Sequence, residues 1–226
     1  MPKRILLYFA CLLCVIGNAE EIESSSFSSS SEIGKWRTFI GIEGGVGLNN
    51  YYRNYFILAY ANPLFSKPNG SAIGYHLALN LGWQKYLNEI VGTRLSLNLG
   101  GQYVPKIGIE TDKTTQDFKN GYGWEFGFVN DWIFNFTSQQ KTKFGMLLGF
   151  GLDFYDHIDF SNPNYKSATI FLLNARIGFS TQIKNNIIDL YFSIPAISLI
   201  SVANKIDSKY YLHYTNALTL GYKYLF

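Results

Sequence analysis

Apolar and polar residues alternate with a period of two along eight separate stretches of this chain. Consecutive side chains of a strand point to opposite faces, so each stretch predicts a strand with one apolar and one polar face. In residues 36–48, Trp36, Ile40, Ile42, Val46 and Leu48 share a parity with Thr38 and Gly44, opposite Arg37, Phe39, Gly41, Glu43, Gly45 and Gly47. The second stretch is cleaner: Ile73, Tyr75, Leu77, Leu79, Leu81 and Trp83 alternate with Gly74, His76, Ala78, Asn80, Gly82 and Gln84. The third, 91–103, carries Arg94, Ser96, Asn98, Gly100 and Gln102 on its polar face, and the fourth, 122–134, carries Gly123, Glu125, Gly127 and Asp131. Asn130 interrupts the fourth apolar face. The fifth has Lys143, Gly145, Gly149, Gly151 and Asp153 on the polar side, the sixth Asn174, Arg176, Gly178, Ser180 and Gln182. The seventh, weaker, sets Ile188, Leu190, Phe192 and Ile194 against Asp189, Tyr191, Ser193 and Pro195. The eighth runs from Leu212 to Phe226, with His213, Thr215, Thr219, Gly221 and Lys223 opposite.

Soluble strands average about 5–6 residues, and most of these stretches exceed ten, the length of a tilted membrane crossing. Aromatics gather toward the ends of the stretches, Tyr75 with Trp83 and Tyr122 with Trp132, as interfacial girdles require. The links alternate as well. Those at 49–71, 105–121, 156–166 and 197–209 are long, whereas those around Asn88, Ser138-Gln139-Gln140 and Lys184-Asn185-Asn186 are short. Long outer loops, short inner turns and an even number of strands predict an all-β fold, an eight-stranded antiparallel up-and-down transmembrane barrel with both ends on the periplasmic side.

The first residues fit export. Lys3 and Arg4 precede an apolar run from Ile5 to Ile16, then Gly17-Asn18-Ala19. That order describes a secretory signal peptide, residues 1–19, cleaved after Ala19. The apolar run is far short of the about 20 residues of a spanning helix. A Ser-rich lead-in, 20–35, follows and is expected to be a flexible periplasmic tether, and the barrel domain occupies 36–226. Both cysteines, Cys11 and Cys14, lie in the signal, so the mature chain has no thiol chemistry and no disulfide. Without Lys3 and Arg4, 17 of the 19 basic residues remain against 16 acidic ones, a net charge of +1. No basic stripe for nucleic acid is visible, and no cofactor motif is present. The 17 Tyr, 18 Phe and 21 Gly suit a barrel with aromatic girdles and a crowded interior.

The chain ends Leu218-Thr219-Leu220-Gly221-Tyr222-Lys223-Tyr224-Leu225-Phe226. A terminal Phe with Tyr224, Tyr222, Leu220 and Leu218 at alternate positions resembles the signal read by the barrel-assembly machinery of the outer membrane. With the signal peptide and eight strands, the mature chain resembles small outer-membrane barrels of the OmpA/OmpX shape. Its Tyr/Phe/Asn-rich style is similar to the outer-membrane protein family of Helicobacter. These resemblances imply the bacterial outer membrane, contact with its lipid and lipopolysaccharide, and adhesin-like or weak pore roles.

Parity places Arg37, Arg94, Lys143, Arg176 and Lys223 inside the barrel with Glu43, Glu125, Asp131, Asp153 and Asp189. A basic residue on the lipid face would cost roughly 2–4 kcal/mol near the midplane. Five charges of each sign predict a salt-bridged network that plugs the lumen, since eight strands enclose a space about as wide as the side chains filling it. The rival reading is a narrow porin-like channel. A third class rests on Leu212-His213-Tyr214-Thr215-Asn216-Ala217, which resembles the His-x-Ser-Asn of outer-membrane lipid A deacylases. Thr215 replaces the serine, parity turns His213 and Thr215 inward, and no strand follows to supply the acidic partner. No catalytic or metal residue is therefore assigned. His76 is read as a lumen hydrogen-bonding residue, and His157 with Asp153, Asp156 and Asp159 as a solvated acidic loop. Tyr51, Tyr52, Tyr55, Phe56 and Tyr60 of the longest link are candidates to contact a host or surface ligand, or to prolong the first two strands. The expectation is a structural or surface-interaction barrel rather than an enzyme.

Overall fold

The computed structural model describes residues 33–53, 70–105, 107–111, 114–118, 121–138, 142–158, 168–203 and 211–226. The signal segment, most of the Ser-rich lead-in, Tyr55, Phe56, Tyr60, Asp159 and residues 139–141 lie outside them. The elements are β1 (Arg37–Arg53), β2 (Gly70–Tyr86), β3 (Val91–Val104), β4 (Ile107–Thr111), β5 (Thr114–Phe118), β6 (Gly121–Ser138), β7 (Thr142–Ile158), β8 (Ala168–Ile183), β9 (Asn186–Ala203) and β10 (Tyr211–Leu225).

Eight of these strands form one closed antiparallel barrel in the order β1-β2-β3-β6-β7-β8-β9-β10, with β10 returning to β1. The closing seam is long and continuous, from Phe39 opposite Leu225 to Arg53 opposite Tyr211. The strand count, the antiparallel order and the seam match the sequence expectation. So does the parity. Leu77 and Leu79 are 61% and 60% exposed, whereas Ala78 and Asn80 between and beside them are 3% and 1%. The outer wall is apolar and the interior polar, the inverse of a soluble barrel and the arrangement lipid demands. Two aromatic bands flank it: Trp36, Trp83, Trp132, Tyr224 and Phe226 at the end holding both chain termini, Tyr75, Tyr122 and Trp124 toward the other.

The long links are more structured than expected. β1 and β2 extend beyond the predicted wall to Arg53 and Gly70, taking the backbone of Tyr51 and Tyr52 into the seam opposite His213 and Leu212. The link at 105–121 contains a separate hairpin, β4 on β5. β9 continues to Ala203, well into the stretch expected as a loop. Two irregularities in its pairing with β8, between Phe171/Leu172 and Leu173/Asn174, shift its register and leave Ile197 exposed. An extra residue in one strand reverses the parity beyond it, which is why strict alternation loses the strand there. β6 has a similar shift between Asn135 and Thr137, leaving Phe136 exposed against Phe144.

The short turns are tight. Asn88 Oδ1 accepts hydrogen bonds from the Ile90 and Val91 amides at 2.9 and 2.7 Å. Lys184 takes a left-handed φ of 53° in the two-residue turn between β8 and β9. Part of the lead-in is not a free tether: Ile33 bridges Tyr86 and the Gly34 amide donates to the Tyr86 carbonyl at 2.9 Å.

At the terminal end the barrel is apolar inside. Phe39, Ile187 and Leu225 form a buried cluster, and the Phe39 ring occupies the space where a Cβ on Gly82 would stand. The inward parity of Leu225 is as expected, but it is a core residue 1% exposed rather than an incidental one. The structure predicts that Leu225→Ala lowers the unfolding free energy of the refolded barrel by about 2–5 kcal/mol. Phe226→Ala, at a residue 65% exposed, should shift the urea midpoint far less. Equal shifts would contradict this packing.

Candidate functional site

The inward side chains above the apolar cluster form two linked ionic groups. In the first, Asp189 on β9 sits between Arg94 and Lys223, with Arg94 Nη1 at 2.7 Å and Lys223 Nζ at 2.6 Å from the same Oδ2. All three are essentially sealed from solvent. Arg94 also donates twice to Gln84 Oε1, at 3.0 and 2.9 Å, and Gln84 donates to Gln182. The Arg94 guanidinium lies 5.7 Å from the centre of the Phe39 ring, joining this group to the apolar cluster.

In the second, Arg176 on β8 stands between two carboxylates at longer range, Asp131 Oδ1 at 3.7 Å and Glu43 Oε2 at 3.9 Å. Its guanidinium packs over the Tyr191 ring, 3.9 Å from the centre. Asn98 donates to Glu43 Oε1 at 3.2 Å and accepts from Asn80. The register explains how separate strands supply one group: Asp131 is opposite Gly149, and Gly149 is opposite Arg176.

Further toward the loop end the lumen holds a cleft that is open to solvent. Glu43, His76, Gln102, Glu125, Asp153, Arg176 and Thr219 line it, among others. Gln102 Nε2 donates to Glu125 Oε2 at 3.4 Å, and Asn174 Nδ2 donates to Asp153 Oδ2. The Asp153 carboxylate lies across Gly127, where any Cβ would collide with it.

Eight of the ten predicted lumen charges therefore face one another or the cleft. Arg37 and Lys143 stand nearer the strand ends and do not line the cleft. Arg37 sits at the terminal rim, where its Nε donates to the Phe226 carbonyl at 2.9 Å and its Nη2 to Asn185 Oδ1 at 3.1 Å. Lys143 holds its ammonium over the Tyr86 ring, 3.4 Å from the centre. Both belong to strand ends, where the amphipathic stem reaches the rim. The expected balance of five against five becomes five acidic and three basic residues in the lumen among those described.

Alternation put Gln84, Asn98, Gln102, Asn174 and Gln182 on the polar face, but a network drawn from charges alone left out these amide side chains that join it. It also passed over inward apolar residues, Val129, Ile133, Leu147 and Leu172. Their one signal is that they interrupt an otherwise polar face. His76 behaves as expected, with Nε2 3.1 Å from Thr219 Oγ1, and Thr219 is 1% exposed. In the deacylase-like motif, Thr215 faces inward and donates to Asn49 Oδ1 at 2.8 Å, away from lipid. The side chains of His213, Asp156 and His157 lie outside the described set. Among the described residues no three His, Cys, Asp or Glu groups converge as a metal centre.

A closed eight-stranded barrel, apolar outside and charged within, has the architecture of a transmembrane β-barrel. Among solved structures the chain is similar to Ail, the attachment invasion locus protein of Yersinia pestis: 16% identity, 83% of this chain and 98% of that one, TM-score 0.39. Ail, an outer-membrane protein, in a phospholipid bilayer nanodisc gives 15%, 85% and 100%, with a TM-score of 0.34. The translocator domain of the autotransporter NalP from Neisseria meningitidis gives 8%, 86% and 91%, with a TM-score of 0.30. No family model and no curated protein matches the chain.

Removing one partner from a buried ion group strands the others at a cost of about 3–5 kcal/mol. Asp189→Asn should therefore lower the unfolding free energy by about that amount, by urea titration of the refolded barrel. Glu125→Gln, at a half-buried position facing no base within ion-pair range among the described residues, should cost much less. The reverse ranking would contradict the assignment of the network.

Proposed function

We propose that the protein is a non-conducting barrel of the bacterial outer membrane that presents its loop-end strands and links at the cell surface for interaction with a surface or host ligand. In this reading residues 1–19 are removed as a signal peptide, the terminal end faces the periplasm, and lipid and lipopolysaccharide surround the apolar wall. The Leu218, Leu220, Tyr222, Tyr224 and Phe226 face, which borders lipid beside β1, is the mark recognised by the barrel-assembly machinery.

One observation carries the closed-lumen part of this reading. The Phe39, Ile187 and Leu225 cluster and the Arg94, Asp189 and Lys223 group lie across the terminal half of the lumen, and all six side chains are essentially inaccessible to solvent. An ion crossing there would have to displace an apolar plug and break buried ion pairs, each step costing several kcal/mol. With passage blocked, the surfaces left for function are the outer wall and the loop end. Tyr51 and Tyr52, whose backbone continues the seam, remain contact candidates together with Tyr55, Phe56 and Tyr60, because aromatics at a surface anchor partners. The reading gives His213 and Thr215 no catalytic role.

Planar bilayers test the closure. Purified refolded protein should give no reproducible nanosiemens-scale single-channel steps, while it migrates on gels as a heat-modifiable barrel and fractionates with the outer membrane. Steady conductance from such protein would overturn the closed lumen, and a soluble periplasmic product would overturn the location.

A further inference from the structure

The charges of the lumen do not cancel, and the surplus is local. Arg94, Lys223 and Arg176 offset Asp189, Asp131 and Glu43, the six members of the two ionic groups. Glu125 and Asp153 are left over. Each has one amide as its hydrogen-bond partner among the described residues, Gln102 and Asn174 respectively, and neither has a base within ion-pair distance. They are diagonal neighbours on the inner face: Gly127 pairs with Asp153, and Glu125 stands two residues before Gly127. Such neighbours have Cα atoms roughly 7–8 Å apart. Two like charges so placed in a confined lumen repel, and burial leaves little water to screen them.

Most of the polar atoms around them are acceptors without donors; the one donor among the unpartnered atoms of the cleft, Arg176 Nε, faces Asp131 Oδ1 at 3.7 Å. Gln102 is 93% buried, lines the cleft and gives its amide NH₂ to Glu125, which leaves its Oε1 without a hydrogen-bond partner. Asp153 Oδ1 and Asn174 Oδ1 are likewise without one, both on side chains at least nine-tenths buried. Two carboxyl groups in excess of the bases, beside three unpartnered oxygens, suit a cation rather than an anion. Carboxylate and amide oxygens suit hard divalent ions, Ca²⁺ or Mg²⁺. No three acidic or histidine groups converge on one point among the described residues, so the ion must keep part of its hydration shell, as Mg²⁺ in particular does when one or two carboxylates hold it. The cleft is open to solvent, from which those waters come.

We propose that the loop-end half of the lumen is a binding site for one partly hydrated divalent cation, held between Glu125, Asp153 and the Gln102 amide oxygen. The ion completes the charge balance of the interior and ties β3, β6 and β7 together on the inner face. This site is independent of the conductance reading: a barrel that conducts can still bind the ion, and a closed one can fail to.

The test uses refolded full barrel stripped with EDTA and titrated calorimetrically with CaCl₂ and, in a second arm, MgCl₂ at neutral pH. One saturable site is expected, with a Kd on the order of 10⁻⁴–10⁻³ M, the range of weak oxygen-ligand sites. The paired variant Glu125→Gln with Asp153→Asn should weaken it by about tenfold or more, because affinity for such ions follows the number of ligand charges. Heat-modifiable migration establishes that the variant is folded, and Glu125→Gln alone serves if the pair is not. In the wild type the urea midpoint should rise with the cation. No saturable binding of either ion up to about 10 mM, far above that range, would overturn the site and point to protons as the neutralising species. Undiminished affinity in the folded variant would overturn it too, by locating the ion elsewhere.

Discussion

Hydrocarbon offers nothing to a backbone N–H or C=O, and every feature of this molecule descends from that constraint. A sheet with a free edge in lipid would leave a row of such groups unpaired, each costing several kcal/mol. The pairing of β1 with β10 from Phe39 and Leu225 outward removes the edge. Closure with only eight strands then fixes the width of the interior, and the width decides what can occupy it. Buried side chains line the terminal half among the described residues; a cleft survives in the other.

Closure also turns the usual logic of a core inside out. The wall presents leucine, isoleucine and aromatic residues outward, so the charged residues the chain carries in its strands must face each other within a narrow tube. There an ion is tolerated if a partner and hydrogen bonds replace its water. Asp189 meets that condition with two bases at 2.6–2.7 Å. Arg176 meets it less tightly, shared between carboxylates at 3.7 and 3.9 Å and stacked over Tyr191. Glu125 and Asp153 do not meet it among the described residues, and both line the cleft. The gradient from apolar cluster to tight ion group to unbalanced acidic cleft runs from the terminal end to the loop end.

Much of this was legible in the chain because a strand repeats every two residues. Ile73 to Gln84 announces both its faces without ambiguity, and the parity of all ten lumen charges follows from the same count. The count failed where the backbone departs from a plain ladder: the shifts in β8 and β9 turn Ile197 outward and conceal the strand that runs on to Ala203. It also cannot say how high along the tube a long side chain ends. Arg37 and Lys143 have the correct parity, yet they stand near strand ends, so one reaches the Phe226 carbonyl and the other the Tyr86 ring. With them leaves the balance that five and five implied. Pairing itself was invisible, because Arg94 and Asp189 meet across the barrel between strands far apart in sequence.

The division of the lumen into a sealed terminal half and a solvated loop-end half is the centre of this account, and thiol labelling measures it directly. The mature chain has no cysteine, so single cysteines report without background. Ser193→Cys lies in the cleft and is half-buried, whereas Ser180→Cys replaces a buried hydroxyl beside Arg94. A membrane-impermeant maleimide added to intact cells should label the first readily and leave the second unlabelled until the barrel is unfolded. Comparable labelling of both in the folded barrel would mean that water passes through the terminal half, and the account would be wrong.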